Sequence, residues 1–195
     1  MKIIADTKAL HQLQKELKEK WDPQKPMVTI CAGTGCRGYG CVRVKEALET
    51  EIEKQKLNVG VRATGCFGFC EKGPLVVIHP QKIFYQQVKL SDVPDIVTKT
   101  VAKGEIIEKL LYCDPSSGER ILKEEDVPFY KKQKRLLLGN VSRIDPRNID
   151  DYLAQGGYSA LSKALFQMSP EEIISEVKKS LGAPYSDDCH FCFYL

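Results

Sequence analysis

The chain has 195 residues, 43% of them hydrophobic and 28% charged, with a formal net charge of +3. That length can bury the core of one generous domain, or of one compact domain with part of a second. No run approaches the ~18 consecutive apolar residues of a membrane span. The N-terminus lacks a signal-peptide core, and its lysines alternate with glutamates in Lys15-Glu16-Leu17-Lys18-Glu19-Lys20, which builds no nucleic-acid surface. The expected compartment is the cytoplasm. Eight cysteines without an export signal read as metal ligands or redox groups rather than a disulfide framework.

Leu10, Leu13 and Leu17 recur at helical spacing over Lys8 to Lys20, before the breakers Asp22-Pro23 and Pro26. Met27-Val-Thr-Ile30 is a β-rich run ending at Cys31-Ala-Gly-Thr-Gly-Cys36. Val44, Ala47, Leu48 and Ile52 predict a helix over Val42 to Lys54, so that strand, glycine loop and helix follow one another. Asn58 to Thr64 predicts a second strand, ending at Cys66-Phe-Gly-Phe-Cys70. Leu75 to Ile78 and Ile83 to Val88, joined at His79-Pro80-Gln81, predict an antiparallel hairpin. A helix capped by Ser91 follows, with Ile96, Val97 and Val101 facing inward, up to Gly104. The order βαβ, then ββα, is that of an α/β thioredoxin-like domain with a mixed sheet.

Beyond it, Leu110-Leu-Tyr and Ser116-Ser-Gly-Glu read as a turn-rich connection, and Lys131-Lys-Gln-Lys-Arg135 as a solvated linker or helix face. Asp145-Pro146 predicts a helix start, Ser159 to Met168 a further helix, and Ser169-Pro-Glu-Glu172 a capping box opening a third, with Ile173, Ile174 and Val177 on its apolar side.

Each iron of a [2Fe-2S] cluster takes two protein thiolates. Cys31-x4-Cys36 and Cys66-x3-Cys70 supply two pairs, and the strand and helix between them can return both pairs to one sheet edge. Glycines at 33, 35, 38, 40, 65 and 68 let the backbone bend and aim amides at an anionic group. Three rivals stand beside this reading. Gly33-Thr-Gly35-Cys-Arg-Gly38 matches the dinucleotide fingerprint, but the second strand ends in Thr64-Gly65-Cys66 where an acidic residue should meet a ribose. Four-cysteine zinc favours C-x2-C knuckles, and a dithiol oxidoreductase would carry C-x-x-C. Cys41 reads as a spectator at a helix start; Cys113 and the terminal Cys189-His-Phe-Cys192 receive no role, and His11 and His79 lack ligand spacing.

Cys31 to Cys36, Thr64 to Ile78 and Ile83-Phe-Tyr85 resemble the thioredoxin-like [2Fe-2S] ferredoxin domain at the front of the NADH-binding flavoprotein subunit of NAD(P)-reducing and electron-bifurcating hydrogenases. That subunit is similar to the NADH-binding subunit of respiratory complex I. Pro128 to Arg135, Arg143 to Pro146, Tyr152 to Tyr158 and Met168 to Glu172 resemble the lead-in to its flavin domain. The resemblance implies that Cys31, Cys36, Cys66 and Cys70 ligate one [2Fe-2S] cluster, and that the partners are other redox subunits of a hydrogenase or NADH dehydrogenase complex. Where the family continues into an FMN- and NADH-holding loop and [4Fe-4S] cysteines, this chain reads Leu181 to Leu195 without those residues. The expectation is a truncated member that carries electrons without oxidising NADH. The expected layout is an N-terminal helix (1–25), a ferredoxin domain (26–108), a linker (109–140), a helical lead-in (141–180) and a divergent tail (181–195). The helices from Asp145 to Lys179 should then leave an exposed apolar face. The second reading is a cluster-free or zinc-bound interaction module.

Overall fold

The computed structural model describes residues 4, 6–20, 22, 24–135 and 138–181. Pro23 and the Cys189–Cys192 motif of the divergent tail lie outside the described residues. The chain divides into two compact units: Lys20–Tyr152, and Met1–Glu19 together with Leu153–Leu195.

The unit Lys20–Tyr152 is built on a four-stranded mixed sheet in the order β2-β1-β3-β4. β1 (Met27–Cys31) runs parallel to β2 (Gly60–Thr64) and antiparallel to β3 (Val76–His79), which pairs with β4 (Ile83–Tyr85). Between β1 and β2 the chain forms the short helix α2 (Thr34–Gly38) and the crossover helix α3 (Cys41–Lys54). Val44, Leu48 and Ile52 recur at helical spacing and are all buried, so one stripe of α3 enters the core with Val28, Ile30, Val76 and Phe84. Parallel pairing of the strands flanking a crossover places their C-terminal ends together. Here Cys31 registers with Thr64, and both cysteine loops leave from that one edge.

Beyond the hairpin the chain departs from its expected form. β4 stops at Tyr85, and Gln87 then takes a positive φ of 50°, which ends the strand. The following helix starts at Leu90 as a 3-10 turn, passes through α4 (Val93–Asp95) and widens to a π-helix over Ile96–Val101. Its start is held by Asp92, whose carboxylate accepts the Lys89 amide at 3.0 Å, and not by a Ser91 cap. The two-stranded ribbon of β5 (Tyr112–Cys113) and β6 (Arg120–Ile121) leads to α5 (Pro128–Lys131).

The expected helix at Asp145-Pro146 begins later, as α6 (Ile149–Ala154). Asp145 instead accepts the Arg147 amide in a turn, and Asn148 accepts the Asp150 amide at 3.0 Å as the cap. In the second unit, α1 (Thr7–Glu19) meets the start of α7 (Ser159–Gln167): Gln14 donates to Gly157 O at 2.8 Å, and Ser162 donates to Thr7. α8 (Pro170–Leu181) opens with the expected reciprocal box, Glu172 accepting from the Ser169 amide and Ser169 Oγ from the Glu172 amide. The apolar side chains of these last helices are largely uncovered, with Leu165 at 66% and Phe166 at 63% exposure. Among the described residues no helix is long and apolar enough to cross a membrane.

Leu48 is fully buried between α3 and the sheet. Truncation by Leu48→Ala should therefore cost about 2–5 kcal/mol in urea denaturation, and a loss under about 1 kcal/mol would show that α3 does not pack as described.

Candidate functional site

Both loops are fixed at their roots by hydrogen bonds that run past the sheet. The Cys31 amide donates to Leu75 O at 3.0 Å, the Ala32 amide to Thr64 O at 3.0 Å, and Thr64 Oγ1 to Ile30 O at 3.2 Å. The chain then turns into α2, which the glycine content of Thr34–Gly38 did not predict. Glycine is a poor helix former, so packing supplies the reason. A Cβ on Gly33 would stand 2.7 Å from Cys66 Cβ, and one on Gly35 would stand 2.9 Å from Cys70 Cβ. The backbone of the first loop lies directly against the side chains of the second, and only glycine leaves room.

Gly73 closes the other side, where a Cβ would meet Cys36 Sγ at 2.7 Å. The expected role of glycine as a bend former applies elsewhere, at Gly40 and Gly68, which both take a φ of 85°. The same packing removes the dinucleotide reading: the Gly33 and Gly35 backbone that would approach a pyrophosphate is occupied by Cys66 and Cys70.

Cys31 and Cys36 are buried, Cys70 is half-buried and Cys66 is exposed. Within the second pair the Sγ atoms stand 3.8 Å apart. Hydrogen bonding from Cys36 holds the Cys31 thiol down to about 6 against the cost of burial, with further help from the Phe67 and Gly33 amides and from Cys66. Cys36, the donor in that bond, is pushed up by it and by burial, while the Leu75 amide acts in the opposite sense. Burial also raises Cys66, countered by the Gly68 amide, which donates to Cys66 Sγ at 3.3 Å. The Gly68 N–H is thus aimed at Cys66 Sγ, an arrangement that favours negative charge there. Among the described residues no three His, Cys, Asp or Glu side chains close around a single-ion site. The two cysteine pairs face each other through the Gly33 and Gly35 backbone.

Cys41 is buried at the N-terminus of α3, and its thiol is pushed up chiefly by burial and then by Cys31. Cys113 lies on the β5–β6 ribbon and donates to Gly118 O. His79 is held by Thr29 Oγ1, 3.1 Å from Nε2, and burial lowers its basicity.

The segment after the hairpin also reaches the site. Arg135, expected to be solvated with its basic neighbours, donates from Nη2 to Phe67 O at 2.9 Å and lies over the Tyr130 ring. Phe129 stacks on Phe69 with centroids 4.6 Å apart. The aromatic pair Phe129-Tyr130 directly before the basic run Lys131 to Arg135 was the available signal, and it pointed equally to a free surface.

Residues 11–101 match the family described as thioredoxin-like [2Fe-2S] ferredoxin. A 2Fe-2S ferredoxin of Clostridium pasteurianum is 35% identical over 77 residues, covering 38% of this chain and 76% of that protein. The wild-type thioredoxin-like [2Fe-2S] ferredoxin of Aquifex aeolicus, a solved structure, is 31% identical over 45% of this chain and 95% of its own, with a TM-score of 0.42. The NADP-reducing hydrogenase subunit HndC of Solidesulfovibrio fructosivorans is 48% identical over 50 residues, which are 26% of this chain and 10% of that subunit.

The close approach of the loops yields a prediction. Gly33→Ala should destabilise the fold by about 1–3 kcal/mol through overpacking. Gly38→Ala, where a Cβ meets nothing within 4 Å, should be neutral or stabilising in the same denaturation experiment. Equal effects of the two substitutions would contradict the packing described.

Proposed function

Because the chain belongs to the thioredoxin-like [2Fe-2S] ferredoxin family, we propose that Cys31, Cys36, Cys66 and Cys70 ligate one [2Fe-2S] cluster and that the chain transfers electrons through it. The observation that carries this reading is the pair of facing loops, whose contact at Gly33 and Gly35 admits no Cβ and in which the Gly68 amide points at Cys66 Sγ. The donor set suits the group: four cysteines in two pairs, two thiolates for each iron. Such a cluster supplies one-electron redox chemistry, which thiols alone do not.

The chain's own residues do the rest. Buried Cys31 and Cys36 anchor the site on the β1 exit, away from water. Half-buried Cys70 and exposed Cys66 form the side on which an electron partner can approach. The Gly68 amide on Cys66 Sγ offsets the negative charge of that thiolate and so favours the reduced, more anionic state. No acid or base is required of the protein. The short match to a hydrogenase subunit, together with the uncovered Leu161, Leu165 and Phe166, supports other redox subunits of a hydrogenase or NADH dehydrogenase complex as the partners.

Anaerobically purified chain should contain about two irons and two acid-labile sulfides and give an EPR signal after dithionite reduction. Cys36→Ser or Cys66→Ser should abolish or distort that signal, and Cys41→Ser should leave it intact. Colourless protein with stoichiometric zinc would replace this reading by a zinc-bound interaction module. Loss of the signal in Cys41→Ser would make Cys41 a ligand.

A further inference from the structure

The residues matched to the family end at 101, yet Phe129, Arg135 and Val141 attach to four residues of the second cysteine loop, Gly65, Phe67, Gly68 and Phe69. The Gly65 amide donates to Val141 O at 3.0 Å, and Phe67 O accepts from Arg135 Nη2 at 2.9 Å. A Cβ on Gly68 would lie 3.7 Å from the Phe129 ring, and Phe69 stacks on that same ring. Of these contacts, Arg135 alone brings a charge. Its guanidinium is held in turn by Glu124, 3.8 Å away, and by the Tyr130 ring, 4.8 Å from its central carbon.

The carbonyl of Phe67 and the amide N–H of Gly68 belong to one peptide plane. Arg135 grips the oxygen end of that plane, and the N–H end donates to Cys66 Sγ at 3.3 Å. Hydrogen bonds in series polarise one another, so a charged donor on the carbonyl strengthens the amide as a donor on the far side. The grip also fixes the direction of the N–H, because the C=O and N–H of a planar trans peptide point in opposite directions.

We propose that Arg135 is a positioning residue that holds the Phe67–Gly68 peptide with its N–H on Cys66 Sγ and thereby raises the reduction potential of the cluster. The role rests on Cys66 being a cluster ligand. Hydrogen bonds to cluster sulfurs set the potential, and they favour the reduced state because it carries the extra negative charge. Loss of Arg135 removes both the polarising charge and the orientation, and both losses lower the potential. The segment beyond the ferredoxin domain is then part of the electron carrier.

The test compares Arg135→Gln, Arg135→Lys and Lys134→Gln in the full chain; Lys134 is a neighbouring exposed lysine. Arg135→Gln should lower the equilibrium constant for cluster reduction about threefold to tenfold, tenfold being about 59 mV for one electron. Arg135→Lys should fall by a smaller amount, and Lys134→Gln should match the parent. An unchanged potential in Arg135→Gln, or an equal shift in Lys134→Gln, would overturn the proposal. If Arg135→Gln does not fold, a parental potential in Arg135→Lys would overturn it as well.

Amide hydrogen exchange supplies a readout that needs no cluster. The peptide containing Gly68 should exchange several-fold faster in the Arg135 variants than in Lys134→Gln, and equal rates would overturn the positioning role. Parent protein that holds no iron would refute the cluster reading, while the exchange result would still decide whether Arg135 fixes this peptide.

Discussion

The contact on which the site depends is between backbone and side chain. Gly33 and Gly35 present bare α-carbons to Cys66 and Cys70, at separations where an added methyl group would stand under 3 Å from the neighbouring Cβ atoms. Two chain segments separated by a helix and a strand can share one small site only if they approach this closely. The approach depends in turn on the parallel register that sets Cys31 opposite Thr64. The fold brings the loops to one edge, and the glycines let them touch.

That contact accounts for the uneven character of the site. The first pair sits at the end of a central strand, bonded to neighbours on both sides, and is buried. The second pair leaves an outer strand, β2, and keeps Cys66 at the surface. A redox group held between them would be insulated on one side and approachable on the other, which suits electron transfer without exchange of atoms. An amide donor falls on Cys66 Sγ, so negative charge is stabilised at the exposed side of the site.

Much of this was legible in the sequence because it depends on periodicity and spacing. The stripe of Val44, Leu48 and Ile52 marked the crossover helix, and the β-rich run from Met27 led directly to the first pair. The helix through Thr34–Gly38 was not legible, since its glycines argue against a helix until their neighbours from the other loop are known. Ser91 looked like a cap, but Asp92, one residue on, holds the Lys89 amide. Arg135 was hidden for a different reason. A basic residue after a turn-rich stretch resembles a solvated one, and its target, a carbonyl 68 residues away, carries no side-chain signal.

Iron K-edge X-ray absorption on the anaerobically prepared full chain tests the central claim most directly. One cluster bound by Cys31, Cys36, Cys66 and Cys70 predicts an all-sulfur first shell at iron together with an iron–iron scattering path. A first shell containing nitrogen or oxygen, or an all-sulfur shell without iron–iron scattering, would contradict the proposal that these two loops close around one cluster.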